Sequence, residues 1–269
     1  MNRTHKKRFK SPWLYTLTII TLLFICVPML VSIFAGFVNN YAIGFESGLT
    51  TKWFLQVWSS YSNTIFWSIV IALACVLITL IIGVPCAYAF ARSKNRWLRI
   101  LDELIALPIA IPGLASALAL ILAYGQIQWF RQSYLFILVG HVVFTLPFMV
   151  KTVTAAFKKH ELLVLEEAAR SLGASFIARF LGVLVPAILP SIIAACLMVF
   201  TLSIGEFNLT WMLHTPMTRT LPVGLTDSYA SMRIEVGSAY TFIFFLVILP
   251  FLYGLQTVAT YFQNRYGTF

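Results

Sequence analysis

Six long apolar runs constrain this chain more than anything else in it. They lie at about 13–38, 64–91, 101–125, 134–157, 184–205 and 240–262. Each has the length an α-helix needs to cross a hydrocarbon core about 30 Å thick. The runs are continuous where a barrel strand would alternate, and in lipid a helix satisfies its own backbone hydrogen bonds. The expectation is an all-α integral membrane protein with six transmembrane helices. A single transmembrane domain over 13–262 is flanked by a basic tail, 1–12, and a short carboxyl-terminal tail, 263–269.

Charge supports this reading and orients it. The chain is 60% hydrophobic and 10% charged, with a formal net charge of +10. Nucleic acid is an unsuitable partner, because the cations sit in short loops between apolar runs and form no interleaved aromatic surface. One side collects Arg3, Lys6, Lys7, Arg8 and Lys10, then Arg92, Lys94, Arg96 and Arg99, then Lys151, Lys158, Lys159, Arg170 and Arg179, and Arg265. The other holds only Lys52, Arg131, Arg219 and Arg233. The positive-inside rule therefore places both termini and the interval between runs four and five in the cytoplasm. The amino terminus imitates a secretory leader, but its apolar run is too long for a cleavable core, so an uncleaved first span is expected.

Catalysis has no candidate. There is no Gly-x-x-x-x-Gly-Lys-Ser/Thr loop to cradle a phosphate, and no His-Glu-x-x-His pair to hold zinc. His5, His141, His160 and His214 are scattered, and His141, inside run four, reads as a packed and hydrogen-bonded residue. Cys26, Cys75, Cys86 and Cys196 lie in apolar runs without ligand spacing and read as small hydrophobes.

The interval 160–183 is neither lipid-like nor a simple polar loop. Glu166 and Glu167 are expected in the first turn of a short helix, where carboxylates complement the exposed amides. Leu165, Ala168, Ala169 and Leu172 share one apolar face. Gly173 ends that helix in the left-handed conformation. Ser175 caps a second helix with Phe176, Ile177, Phe180 and Leu181 along one side. The result is a helix–glycine–helix elbow whose apex, including Ala174, is built of small residues. Pro186 is expected to open the fifth span with a rigid first turn that transmits movement from the elbow.

The same residues carry a resemblance. Glu167-Ala168-Ala169, three residues, Gly173, nine residues, Val183, one residue and Val185-Pro186 resembles the EAA loop of membrane permeases in bacterial binding-protein-dependent ABC importers. That pattern is Glu-Ala-Ala, three, Gly, nine, Ile, one, Leu-Pro; valine replaces both late aliphatics here. The resemblance implies a type I ABC importer transmembrane fold with a cytoplasmic coupling helix between spans four and five. It implies two ATPase partners, a second permease subunit (homologous or identical), an extracytoplasmic substrate-binding protein, a bacterial inner-membrane location, and no cofactor beyond ATP bound by the partners.

Every span carries proline, which invites bends that neighbouring helices must cover. Ala106, Ala110, Gly113 and Ala117 form a ridge of small side chains along span three that permits close helix packing. After span five, Ser203, Glu206 and Thr210 make a polar stripe if the helix continues, with Asn208 beside it. A charged group there costs about 2.5–3.5 kcal/mol at mid-bilayer, so the stripe is a candidate lining of a translocation path. The bland reading is an interfacial glutamate reaching water at a helix end. The outer loop 216–235 carries Arg219, Asp227, Tyr229, Arg233 and Glu235, and suits either a soluble binding protein or plain solvation. Within the resembled family, Ser203-Ile204-Gly205-Glu206-Phe207 looks like permeases for polyamines, aminoalkylphosphonates, ferric iron or related small polar solutes. The competing class is a stand-alone secondary transporter or channel, for which Glu206 is the one embedded acid.

Overall fold

The computed structural model describes residues 12–266. The five cations of the amino-terminal tail and residues 267–269 lie outside that range. Helix α1 (Pro12–Phe34) runs into a 3-10 turn at Ala35–Phe37, and a second such turn follows at Gly44–Ser47. Then come α2 (Lys52–Arg92), α3 (Arg96–Leu104), α4 (Leu107–Ala110), α5 (Gly113–Tyr124), α6 (Gln128–Arg131) and α7 (Tyr134–Phe157). The second half holds α8 (His160–Ser171), α9 (Phe176–Arg179), a π turn at Phe180–Leu184, α10 (Val185–Ala187) and α11 (Leu189–Ile204). It closes with α12 (Asn208–Leu213), α13 (Leu221–Ala230) and α14 (Ile234–Tyr266). Among the described residues the only extended pairing is an isolated bridge between Val38 and Leu49.

Four helices are long and apolar enough to cross a membrane: α1 with its 3-10 extension, α2, α7 and α14. Two bent helix pairs bring the number to six if each counts as one span. The α3–α4 arm meets α5 at 108°, and the stretch 176–187 meets α11 at 72°. Proline explains both breaks. Pro112 interrupts the first, with Ile111 and Pro112 both in extended conformation. In the second, Pro186 and Pro190 each lack a donor for the residue four earlier, and the chain widens to a Val185 N–H bond to the Phe180 carbonyl before breaking at Ile188.

These breaks correct two sequence expectations. Span three is not one helix, so Ala106, Ala110, Gly113 and Ala117 do not form a continuous ridge. Pro186 does not open the fifth span; it sits in a segment set at 72° to it, and Pro190 occupies the opening turn of α11 instead. The intervals between the apolar runs are themselves structured: α2 begins at Lys52, α12 and α13 fill much of 206–239, and α14 begins at Ile234.

Helix α2 has 41 residues. At 1.5 Å per residue that is about 60 Å, twice the apolar slab, so it links both ends of the bundle. It packs along α7 and α11 around Cys75, Val84, Ala87, Met149, Val150, Val153, Phe157, Leu184 and Val199. Gly83 permits that approach: a Cβ there would lie 2.7 Å from Met149 Cγ. At the opposite end Val57, Ile65, Leu221, Val236, Ala239 and Tyr240 form a second cluster. Between them, Ile71, Ala117, Phe136, Ile137, Leu209 and Leu213 join α5, α7 and α12. Helix α1 stands apart, with Phe24 81% exposed, and is tied in at its end by Ser32 Oγ 3.0 Å from Tyr229 Oη.

Candidate functional site

Two places bring chemistry-bearing residues together. The first is the elbow formed by α8 and α9. Helix α8 begins at His160, so Glu161 occupies its first turn. Glu166 and Glu167 therefore sit in the middle of the helix, not at its start as the sequence suggested. Their work is lateral. Glu166 faces the bundle, where its carboxylate accepts from Tyr88 Oη at 2.5 Å and from Arg92 Nε at 2.6 Å. Arg92 Nη1 also donates to the Phe157 carbonyl at 2.6 Å, capping the end of α7. One guanidinium thus clasps the ends of α2 and α7 and the middle of α8. Partial burial disfavours the Glu166 anion, but the hydrogen bonds from Tyr88 and Arg92 and the charges of Arg92 and Arg179 outweigh it. The carboxyl is held below the usual carboxylate range.

Aromatic rings extend the clasp. Tyr88 packs against Phe157, Phe176 and Phe180 at centroid distances of 5.6, 5.6 and 5.4 Å. Both arms of the elbow are therefore anchored on the end of α2. The turn itself is over-determined. Gly173 has φ +80°, its N–H bonds the Arg170 carbonyl at 2.9 Å, and the Ala174 N–H reaches back to Ala169 at 3.1 Å. Ser175 Oγ accepts from the Ala178 N–H at 3.3 Å, the expected cap of α9, and Arg179 Nη1 donates to the Ala174 carbonyl at 2.9 Å.

What this scaffold holds out is apolar. Leu172 is 88% exposed, and Phe176, Ile177 and Leu181 are also exposed. The face of Leu165, Ala168, Ala169 and Leu172 does not pack wholly inward: Leu165 and Ala169 are half-buried, while Ala168, Leu172 and Glu167 look outward. Leu162 is the buried anchor of α8.

The second place is a polar crossing of α7, α11 and α12. Helix α11 ends at Ile204, so Ser203, Glu206 and Thr210 do not form a stripe on one continuous helix. Ser203 and Thr210 turn inward and meet the buried His141: Nδ1 is 2.8 Å from Ser203 Oγ and Nε2 is 2.7 Å from Thr210 Oγ1. Thr210 gives its own proton to the Glu206 carbonyl at 2.9 Å, so its oxygen must accept from His141 Nε2–H. The Ser203 hydroxyl, which can donate or accept, completes the bond at Nδ1. Thr145 Oγ1 donates to the His141 carbonyl at 2.8 Å, and Cys75 Sγ lies 3.1 Å from that hydroxyl. Four elements share this chain of bonds.

Glu206 lies outside it. Its Oε1 accepts from the Leu209 N–H at 2.8 Å, where an anion suits the exposed amides of α12. Gly113, at the start of α5, leaves room beside it: a Cβ there would be 3.5 Å from Glu206 Oε1 and 3.5 Å from Asn208 Cβ. Asn208 is exposed and Glu206 half-buried. Of the four polar residues the sequence grouped, the structure separates two that hold the core from two that border the break in span three. Among the described residues no group of three or more His, Cys, Asp or Glu could hold a metal ion.

Sequence reasoning missed Tyr88, Arg92 and Phe157 as partners of the elbow, and His141 as the hub of the crossing. Arg92 was visible only as one more cation, since nothing local reports a partner 74 positions away.

The family described as binding-protein-dependent transport system inner membrane component matches residues 80–267. The chain belongs to this family. The permease is 27% identical over 243 residues to a molybdenum transport system permease protein of Mycobacterium tuberculosis, covering 83% of this chain and 88% of that one. It is 24% identical over 236 residues to a putrescine transport system permease protein of Escherichia coli, covering 85% and 83%. It is 25% identical over 250 residues to a putative 2-aminoethylphosphonate transport system permease protein of Salmonella choleraesuis, covering 92% and 94%. Its fold matches a chain of a bacterial ABC transporter involved in import of alginate, with a TM-score of 0.69 and 15% identity over 92% of this permease and 95% of that chain. A chain of the MetNI methionine ABC transporter, in an inward-facing conformation, gives 0.61 with 15% identity over 76% and 95%. The type I importer fold expected from the EAA spacing is thus the fold of this permease, a multi-pass membrane protein of a binding-protein-dependent ABC transport system.

Proposed function

We propose that this permease couples to two ATP-hydrolysing subunits through the α8–α9 elbow. With a second permease subunit, homologous or identical, it forms the path for a small polar solute delivered by an extracytoplasmic binding protein. Both termini and the elbow face the cytoplasm of a bacterial cell in this reading, as the distribution of Lys and Arg requires. The observation that carries it is the pairing of an exposed apolar apex, Leu172 and Phe176, with a rigid root, Glu166 on Arg92 and Tyr88. An apolar knob costs free energy in water and gains it in a partner's groove. The clasp passes any displacement of the knob to α2, which runs the length of the bundle. Motion then switches access at the two bent spans, where helices already depart from straight packing.

The solute in this reading is a small polar one, a polyamine, 2-aminoethylphosphonate or similar, as two of the three named relatives suggest, and Glu206 with Asn208 lines its route beside Gly113. Ser203 and Thr210 support that lining through His141. Reconstitution with the partner ATPases tests the coupling role. Gly173→Asp and Glu167→Lys should abolish coupled uptake while leaving membrane insertion intact. Unaltered solute-stimulated ATP turnover in both variants would overturn it. Uptake persisting in vesicles that lack any ATPase would instead favour a stand-alone transporter.

A further inference from the structure

We infer that the outer end of this permease carries a binding pocket for a small oxyanion, formed by Arg219, Arg233 and Tyr61. The inference rests on the reading of the chain as an import permease and narrows its solute class. A polar cavity of about 210 Å³ lies among Tyr61 of α2, Gly224, Asp227 and Ser228 of α13, and the connecting Arg219, Ser231 and Arg233. Its donors outnumber its acceptors. Arg219 Nε is shut off from solvent with no hydrogen-bond partner, and Asp227 Oδ2 is 3.8 Å away, outside bonding distance. Arg233 Nη2 donates to Tyr61 Oη at 3.2 Å, which uses a lone pair of the phenol and leaves its O–H to donate. Ser228 Oγ is committed to the Gly224 carbonyl at 2.9 Å. Two guanidiniums against one carboxylate leave a net positive pocket, and although the Arg219 side chain is 41% exposed and ion-paired with Asp227, its Nε–H makes no hydrogen bond and is free for a ligand oxygen.

The walls hold the pocket open. The Leu221 N–H bonds Ser68 Oγ at 2.7 Å, fixing α13 on α2, and Tyr61 packs on the buried Tyr240 ring at 5.0 Å. Gly224 forms the floor, where a Cβ would lie 2.9 Å from Tyr240 Oη. Planar guanidiniums suit a phosphonate or other tetrahedral oxyanion by paired N–H···O bonds. A dicationic amine would be repelled. An aminoalkylphosphonate fits both ends of the proposed route, its anion met here and its amine met by Glu206.

The test is titration calorimetry of the full-length permease in detergent micelles with methylphosphonate, and with a linear diamine as the opposite charge. Methylphosphonate should bind and the diamine should not. Arg219→Gln and Arg233→Gln should each weaken binding roughly tenfold or more, the effect of losing one charge-assisted hydrogen bond. Asp227→Asn keeps both guanidiniums and should tighten binding, which preserves the test if an arginine variant folds poorly. Equal affinity in bilayers of zwitterionic phospholipid marks a free solute as the ligand; loss of binding there, by competition from lipid phosphates, overturns the assignment. Unchanged affinity in both arginine variants, or binding of the diamine alone, also overturns it. In the reconstituted transporter, Arg219→Gln should raise the half-saturating solute concentration without lowering the maximal rate; an unmoved half-saturating concentration contradicts the pocket. Failure of ATP-driven uptake by the wild type would count against the permease reading alone, since binding in micelles needs no ATPase.

Discussion

The elbow and the His141 crossing use similar materials in opposite ways. Around His141 every polar group turns inward and is matched, and the apolar side chains of α11 and α12 close over it. At the elbow the charged groups that matter turn toward the bundle, while Leu172, Phe176 and Ile177 remain outside. The first arrangement holds four elements in one packing. The second is rigid at its root and exposed and apolar at its tip, as the proposed contact with a partner requires. On the proposed function, stability belongs chiefly to the crossing and coupling to the elbow, and substitutions should separate the two.

The largest effect is expected at the crossing. His141→Ala takes a hydrogen-bond partner from the buried Ser203 and Thr210 hydroxyls and opens a void, at a cost of about 2–5 kcal/mol. Thermal unfolding in micelles should show a clear fall in midpoint, and no fall would break the contrast. Next comes Arg92→Gln, which leaves the part-buried Glu166 carboxylate without its cation and frees the end of α7. A loss of about 1–3 kcal/mol is expected, with coupled uptake falling more steeply than the unfolding midpoint. Equal proportional losses would mean that the clasp is structural only.

A pH series sharpens the same point. The Glu166 carboxyl is depressed in the folded state, so its contribution is fully present above its unfolded value of about 4.3 and is lost as pH falls through the lower folded value. The stability gap between wild type and Glu166→Gln should be flat from about pH 6 to 8 and close only in stronger acid, below about 4. A gap that changes near neutrality would contradict the clasp. The smallest effect is Gly173→Ala: at φ +80° a Cβ costs about 1 kcal/mol, and open space surrounds it. Only the turn should loosen, without a change in the global unfolding midpoint beyond a few degrees.

Local chemistry was legible in the sequence where it acts over a few residues. Gly173 and Ser175 end and begin their helices as their residue types dictate, and Tyr134–Phe157 is the fourth span as drawn. The apolar length of the other runs marked them as membrane-crossing candidates but did not give their shape. Prolines announced bends, yet nothing in the sequence said that Pro112 and Pro190 mark the breaks in spans three and five while Pro85 and Pro147 are carried inside long helices. That outcome depends on which neighbours cover the freed carbonyls. The reach of α2 back to Lys52 was hidden because the apolar run begins only at about 64, after the polar Ser59, Ser60, Ser62 and Asn63. The polar residues near span five were grouped by helical spacing, and the end of α11 at Ile204 voided that spacing. His141, 62 positions from Ser203, supplied the real partner.

Thiol labelling at the elbow apex tests the coupling claim most directly. In a background without Cys26, Cys75, Cys86 and Cys196, Leu172→Cys should react quickly with a water-soluble maleimide in the isolated permease, and should be protected when the ATPase subunits assemble. Labelling at the same rate in the assembled transporter would contradict the account.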